Sequence, residues 1–345
     1  MPTSSSHGFL VNAAAFVVVV AGMRAAGDIL VPFLLAVFLA IICSPLLFWM
    51  KRKKVPNSLA VCSTLVVVLG VVLVLAAFAG TSLHGFSNAL PGYQEKLAAK
   101  TSSLLAWLEG MGLKVSATFI SETVNPAKAM GIAANTLKGL SGVLTNVFMI
   151  LLTVVFVLFE ASALPRKLAV ALGDPEASLS RFQGFMENLN RYLAIKTLFS
   201  LLTGITIGIW LAVLGVDYPL LWGLLAFLLN YVPNIGSIIA AIPPCLLAVI
   251  QIGPGTALLA AGGFLVVNTV FGSLLEPRYM GRGLGLSTLI VFLSLVFWGW
   301  VLGPVGMLLS VPLTMIVKIA LESREETQGI AVLLGSGGSA AASPK

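Results

Sequence analysis

One polar segment near the end of an otherwise apolar chain carries the residues best suited to chemistry. In EPRYMGRGLGLST, Glu276 precedes Arg278 and Arg282, and Gly281 and Gly283 flank the second arginine. A carboxylate at membrane depth needs a cationic partner, and an arginine guanidinium is a natural one. The glycines allow a tight turn or a close approach to a neighbouring backbone. Two interpretations stay open: a salt-bridged loop that anchors a helix end, and a charged gate or polar-solute site.

A second set of candidate residues lies in NYVPNIGS, within a long apolar region. Pro233 removes a helical N–H and clashes with the preceding turn, and Gly236 follows within one turn. The amides of Asn230 and Asn234 would be costly against lipid. Broken backbone at membrane depth is tolerated only where it is buried in protein or lines a wet cavity. The segment is therefore a candidate solute pathway.

Two apolar regions, 218–251 and 286–320, are too broken to be simple helices. VPNIGS and Pro243-Pro244 interrupt the first, and LGPVG and Pro312 interrupt the second. Both central breaks follow a Trp-Gly pair. Paired, interrupted hydrophobic segments are a sequence pointer to a transport site. We expect two helical hairpins joined through a long helix that ends at Glu276.

The residues for other chemistries are absent from the sequence. The chain has two histidines and three unpaired cysteines, too few for a His/Cys metal cluster. It has no Ser-His-Asp or Cys-His set, and no glycine-rich nucleotide motif. We predict that the protein is not an enzyme, has no cofactor and does not bind nucleic acid.

Composition identifies the elements that must position these residues. Of 345 residues, 58% are hydrophobic and only 10% are charged, whereas soluble domains carry roughly 25% charged residues. The net charge of +7 is typical of basic cytoplasmic loops in a membrane protein. The sequence predicts an all-α, polytopic membrane bundle of about eight spanning elements. The unbroken spans are expected at 9–23, 29–50, 59–80, 143–159, 198–215 and 257–275.

Basic residues in short loops predict the orientation. Lys51, Arg52, Lys53 and Lys54 place that loop in the cytoplasm, and both termini follow it there. The polar stretch 81–142 is then an extracytoplasmic helical insertion, and 164–196 is a cytoplasmic amphipathic segment whose helix opens at Pro175. The expected divisions are 1–80 (three membrane helices), 81–142, 143–163 (one membrane helix), 164–196, 197–320 (the core with two broken hairpins) and 321–345 (a cytoplasmic tail).

Three stretches of the chain resemble the autoinducer-2 exporter family. They are LLTVVFVLFE, WGLLAFLLNYVPNIGSIIAAIPP and GSLLEPRYMGRGLGLSTLIVFLSLVFWGWVLGPVGMLLSVPL. The resemblance runs from about residue 11 to 334 and is most specific over 222–312. It implies a bacterial inner-membrane protein that exports the quorum-sensing signal autoinducer-2, and a ring-like homo-oligomer such as a pentamer. The candidate pathway residues that it carries are Asn230, Pro233, Asn234, Gly236, Glu276, Arg278, Gly281, Arg282 and Gly283.

Two alternatives remain at the sequence level. Some relatives are assigned to sodium or lithium/proton antiport, which would need a carboxylate drawn into the span. A non-transporting membrane scaffold, built on the insertion and the amphipathic segment, is the second alternative. The partners expected are a small polar solute and the lipid bilayer.

Overall fold

The computed structural model describes residues 4–110, 147–160, 175–233, 235–280, 286–322 and 327–335, and these ranges are helical apart from short turns. The prediction of an all-α membrane bundle is confirmed. The helices are α1 (Ser4–Ala25), α2 (Gly27–Arg52), α3 (Asn57–Gly110), α4 (Val147–Glu160), α5 (Pro175–Val213), α6 (Pro219–Leu229), α7 (Ile235–Gln251), α8 (Pro254–Val267), a π-helix (Asn268–Leu275), α9 (Glu276–Met280), α10 (Thr288–Glu322) and α11 (Gln328–Leu334).

Within the described ranges, five helical segments are long and apolar enough to cross a bilayer. They are Gly27–Arg52, Asn57–Tyr93, Met186–Val213, Pro254–Met280 and Thr288–Glu322. Many large apolar side chains on them are exposed, among them Val66, Ile209 and Leu265. Exposed apolar side chains on spanning helices have lipid as their natural solvent, so the protein is a multi-pass membrane protein.

Two predicted helix boundaries are absent. Helix α3 continues past residue 80 to Gly110, and α5 continues from the amphipathic segment through residue 196 into the predicted span. Neither position carries a proline, so the backbone hydrogen-bond ladder continues there, and α3 also runs through Pro91-Gly92 without ending. The remainder of the predicted insertion, 111–142, lies outside the described residues. The domain divisions stay a prediction.

Both central Pro/Gly breaks occur as expected. Helix α6 ends at Leu229 and α7 begins at Ile235, and the two helices pack against each other. Helix α10 bends at Gly303, whose φ of 68° and ψ of −151° are not helical. The Trp298 indole N–H donates to the Thr314 hydroxyl over 3.0 Å, although 16 residues of straight helix would span roughly 24 Å. The chain therefore doubles back, and α10 is a hairpin of arms 288–302 and 304–322.

The two breaks share one local feature. A Cβ on Gly236 would overlap the Leu229 carbonyl oxygen, and a Cβ on Gly306 would overlap the Trp298 carbonyl oxygen. In both hairpins a glycine therefore lets the second arm pass against the end of the first.

The expected interruptions at Pro243-Pro244 and Pro312 are wrong, because α7 and α10 continue through these prolines. A proline removes one helical N–H, and neighbouring groups in a membrane bundle can compensate for that loss. Only prolines accompanied by a nearby glycine break the helix in these two regions.

The chain forms two compact units. The first comprises Met1–Val67, Thr145–Leu193 and Arg282–Lys345, and the second comprises Val68–Leu144 and Ala194–Gly281. In the first, the hairpin of α10 packs against α1 and α2 around Trp298. In the second, α5 to α8 surround an apolar core that includes Trp222, Leu247 and Ala260.

The second unit is held together by close helix contacts at glycine. Gly204 and Gly208 lie one turn apart on α5, facing Gly223 of α6. A Cβ on Gly204 would lie 2.7 Å from the Gly223 carbonyl oxygen, and a Cβ on Gly223 would lie 2.7 Å from the Gly204 carbonyl oxygen. Small residues at this spacing let membrane helices approach to backbone contact. This contact fixes α5 beside the α6–α7 break.

Candidate functional site

A buried ion pair joins α5 to the start of α9. The Lys196 ammonium nitrogen lies 2.8 Å from Glu276 Oε1, and the two side chains are 9% and 10% exposed. Both residues fall within candidate membrane spans. A carboxylate in such a place is stable only beside a cation that also donates a hydrogen bond to it.

The sequence left the partner of Glu276 open, with an arginine as the natural choice, and the structure places a lysine there. Arg278 is exposed on α9, and Glu276 reaches a lysine 80 positions earlier in the chain. The second candidate arginine, Arg282, lies outside the described residues, as do Asn234, Gly281 and Gly283.

The next turn of α5 bonds to the first Pro/Gly break. The Asn230 amide donates to the Ser200 hydroxyl over 3.0 Å, and the Tyr231 hydroxyl donates to the Thr197 hydroxyl over 2.8 Å. Asn230 and Ser200 are 8% and 0% exposed. These bonds satisfy polar groups that would otherwise be costly inside an apolar bundle.

One face of α5 thus collects both candidate motifs. Lys196, Thr197, Ser200 and Thr203 follow helical spacing, and we call them the α5 polar face. It binds Asn230 from the first motif and Glu276 from the second. Pro233 and Gly236 shape the turn between α6 and α7. The carboxylate and ammonium neutralise each other, so the charges of this pair favour neither an anion nor a cation.

A π-helix positions Glu276. The eight residues Asn268–Leu275 are π-helical, and Glu276 follows directly. The Phe199 ring of α5 packs at a tilt against the rings of Phe271 in this segment and Tyr279 just after Glu276, with ring centroids 6.3 and 5.6 Å apart. Such π-segments are rare and occur frequently at functional sites. The sequence predicted an ordinary helix here.

Sequence reasoning missed the α5 polar face because Lys196 was interpreted as a cytoplasmic basic residue. The sequence did contain a pattern that indicates this face. Four polar residues at positions i, i+1, i+4 and i+7 share one side at the start of an apolar helix. Among the described residues, no cluster of three or more His, Cys, Asp or Glu could hold a metal ion. The site offers hydroxyls, amides and one ion pair.

The chain also matches a known family of proteins. Residues 13–325 match the family described as AI-2E family transporter. The chain belongs to the AI-2E transporter family. The AI-2 transport protein TqsA of Escherichia coli (strain K12) is 45% identical to this AI-2E transporter over 318 residues, which are 92% of each chain.

Other relatives cover nearly the whole length. YhhT of Escherichia coli (strain K12) is 40% identical over 336 residues, 97% of this chain and 96% of its own. A protein of Haemophilus influenzae is 42% identical over 335 residues, 95% of this chain and 96% of its own. Membrane transport is thus the activity class of this AI-2E transporter, and its polar site is a candidate for the solute pathway.

Proposed function

We propose that the protein exports autoinducer-2, or a similar small polar and uncharged solute, across the bacterial inner membrane. The observation that carries the proposal is the α5 polar face, which lies inside a candidate membrane span. It is bonded to the first interrupted region through Asn230 and to the polar segment through Glu276. The similarity to a relative named as an AI-2 transport protein supports the choice of solute.

The site has the chemistry that a hydroxylated solute requires. Ser200 and Thr197 accept from Asn230 and Tyr231, and hydroxyl groups of a solute can exchange with these bonds at little enthalpic cost. Amides and backbone groups at helix breaks bind solutes without demanding a charge. The internally neutral Lys196–Glu276 pair is compatible with an uncharged cargo.

A sodium or lithium/proton antiporter is the second candidate. It needs an ionisable carboxylate within the span, and Glu276 is buried within a candidate span at 8% exposure. In that case Glu276 exchanges between Lys196 and the transported cation. The two candidates differ in whether the carboxylate binds cargo or only positions neighbouring groups.

The proposal includes an orientation. Lys51, Arg52 and Lys53 lie at the end of α2, with Lys53 4.5 Å above the Trp49 ring. Basic and aromatic residues together are typical of a membrane interface. Short loops rich in basic residues are typical of the cytoplasmic side. Both termini are then cytoplasmic. We also propose a homo-oligomer, for which five subunits is the first number to test.

Flux in proteoliposomes tests the proposal. Autoinducer-2 and sodium fluxes are measured for the wild type, Asn230→Ala and Glu276→Gln. Glu322→Gln is the matched control, because Glu322 forms an ion pair with Lys318 but is 47% exposed. We expect autoinducer-2 flux in the wild type and the control, and a loss of at least tenfold in Asn230→Ala.

Each outcome decides between the candidates. Sodium flux that disappears in Glu276→Gln, without autoinducer-2 flux, supports the antiporter. Absence of both fluxes in the wild type would contradict both candidates and favour the scaffold. The same assay with Asn234→Ala and Arg282→Ala tests the predicted pathway residues outside the described ranges.

A further inference from the structure

A second polar cluster lies at the other end of the second unit. Seventeen residues of α5, roughly 25 Å of helix, separate Lys196 from Val213, where the turn to α6 begins. Residues 85–100 of α3, which we call the strap, pack against this end. Phe86 in the strap meets the rings of Trp222 and Tyr218 edge-on at 5.4 and 5.8 Å.

The strap inserts a hydroxyl between two polar side chains. The Tyr93 hydroxyl donates to Asp217 Oδ2 over 2.6 Å and accepts from the Gln251 amide over 3.3 Å. The same amide donates to the Asp217 carboxylate, and the Gln251 amide oxygen accepts from the Asp217 backbone N–H over 3.1 Å. Farther along, Lys100 donates to the Val249 carbonyl over 2.8 Å.

Asp217 and Gln251 are held in place by groups other than the strap. The Trp222 indole donates to the Asp217 carbonyl over 2.9 Å. Tyr218, the next residue, has a left-handed backbone with φ 58° and ψ 44°. A bulky residue with positive φ is a genuine outlier, and such strain clusters at functional sites. The carboxylate and amide would therefore keep their places if the strap moved away.

Their chemistry selects a particular class of ligand. An ionised carboxylate accepts from a hydroxyl, an amide N–H donates to the same hydroxyl, and both are satisfied at once. Tyr93 supplies such a hydroxyl, and its ring packs against Phe86 with ring centroids 6.4 Å apart. Asp217 is itself exposed, so a solute that displaces the Tyr93 hydroxyl can reach the carboxylate from the end of the bundle.

We propose that Asp217 and Gln251 form a binding site for a hydroxyl group of a small neutral polyol-like solute, and that Tyr93 of the strap occupies this site in the present structure. The inference rests on the proposed function, since the solute displaces the Tyr93 hydroxyl on its way through the protein. The inference adds a binding site to the pathway. It also makes the strap a cover that must move before a solute can occupy that site.

Binding of a simple probe tests the site without any measurement of transport. Ribitol binding to the purified protein in detergent is measured by equilibrium dialysis for the wild type and Tyr93→Phe. The substitution removes only the competing hydroxyl and keeps the ring. We expect about tenfold tighter binding, the factor that one hydrogen bond to a charged group contributes.

Two further variants make the result specific. The double variant Tyr93→Phe/Asp217→Asn should bind ribitol no more tightly than the wild type, because the Asp217 carboxylate accepts the hydrogen bond from the ribitol hydroxyl. Thr153→Val, which removes a hydroxyl that bonds within α4 to the Met149 carbonyl, should match the wild type. A gain below twofold in Tyr93→Phe, or one that persists without the carboxylate, overturns the site.

Movement of the strap is measured separately, in an otherwise cysteine-free chain. Ala89→Cys is half-buried in the strap against the apolar core, and Ser87→Cys is its exposed control. Ribitol should raise the rate at which a hydrophilic maleimide labels Ala89→Cys at least threefold and leave Ser87→Cys unchanged. An unchanged rate at Ala89→Cys contradicts displacement of the strap. Neither result depends on whether autoinducer-2 is the natural cargo.

Discussion

Removing one partner of the Lys196–Glu276 pair should destabilise the protein strongly, whereas removing both should not. At 2.8 Å, an effective dielectric constant of 20 gives an attraction of roughly 6 kcal/mol. Desolvation costs several kcal/mol per ion, so the net contribution of the intact pair is small. A single uncompensated charge keeps the desolvation cost and loses the attraction. Because both side chains are about nine-tenths buried, water screens this charge little.

Three variants separate these contributions. Lys196→Met leaves the Glu276 carboxylate buried without its cation, and we expect the free energy of unfolding to fall by about 3–5 kcal/mol. Glu276→Leu leaves the Lys196 ammonium buried and should cost a similar amount. The double variant Lys196→Met/Glu276→Leu should return to within about 1 kcal/mol of the wild type.

The assay is equilibrium unfolding in mixed micelles, followed by tryptophan fluorescence. A double-mutant cycle on these four proteins gives the coupling energy directly. The reasoning is refuted if Lys196→Met alone costs less than about 1 kcal/mol, since a truly buried carboxylate could not lose its cation so cheaply. It is also refuted if the costs of the two single substitutions simply add in the double variant.

Three further predictions use the same unfolding assay. Gly223→Ala places a Cβ 2.7 Å from the Gly204 carbonyl oxygen. Overpacking should lower the free energy of unfolding by about 1–3 kcal/mol. An unchanged stability would show that α5 and α6 can separate freely. Gly262→Ala meets open space within α8 and should gain about 0.5–1 kcal/mol, and a loss would contradict the open surroundings. Trp298→Phe leaves the buried Thr314 hydroxyl without its indole partner and should lower the free energy of unfolding by about 1–3 kcal/mol. Adding Thr314→Val to this variant should restore part of the loss. Equal stability of Trp298→Phe and wild type would contradict the hairpin contact.

Several features of the fold followed from local sequence because their causes are local. The all-helical membrane class follows from long apolar runs, in which every backbone polar group must be satisfied within its own segment. The breaks near Pro233 and at Gly303 follow from the missing N–H of proline and the freedom of glycine. The same rule predicted breaks at Pro243-Pro244 and Pro312 that do not occur, because neighbouring groups in a membrane bundle can compensate for the N–H that a proline lacks.

The candidate site was only partly predictable. Asn230 and Glu276 were identified as polar groups in costly places, and that judgement needs no tertiary information. Their partners, Ser200 and Lys196, lie 30 and 80 positions away. Spacing on one helix cannot indicate which groups of another helix face it, so the sequence left the partner of Glu276 open between Arg278, Arg282 and another segment.

By itself, the sequence determined that this is a helical membrane protein with two Pro/Gly-broken hairpins and a polar segment between them. Tertiary structure alone decided that both motifs meet on α5, that a π-helix precedes Glu276, and that Tyr93 fills the Asp217–Gln251 pair. The physical reason is the distance along the chain over which each effect acts. Propensity, proline chemistry and hydrophobicity act within a few residues, whereas burial makes a charge or an amide depend on groups that only packing brings near.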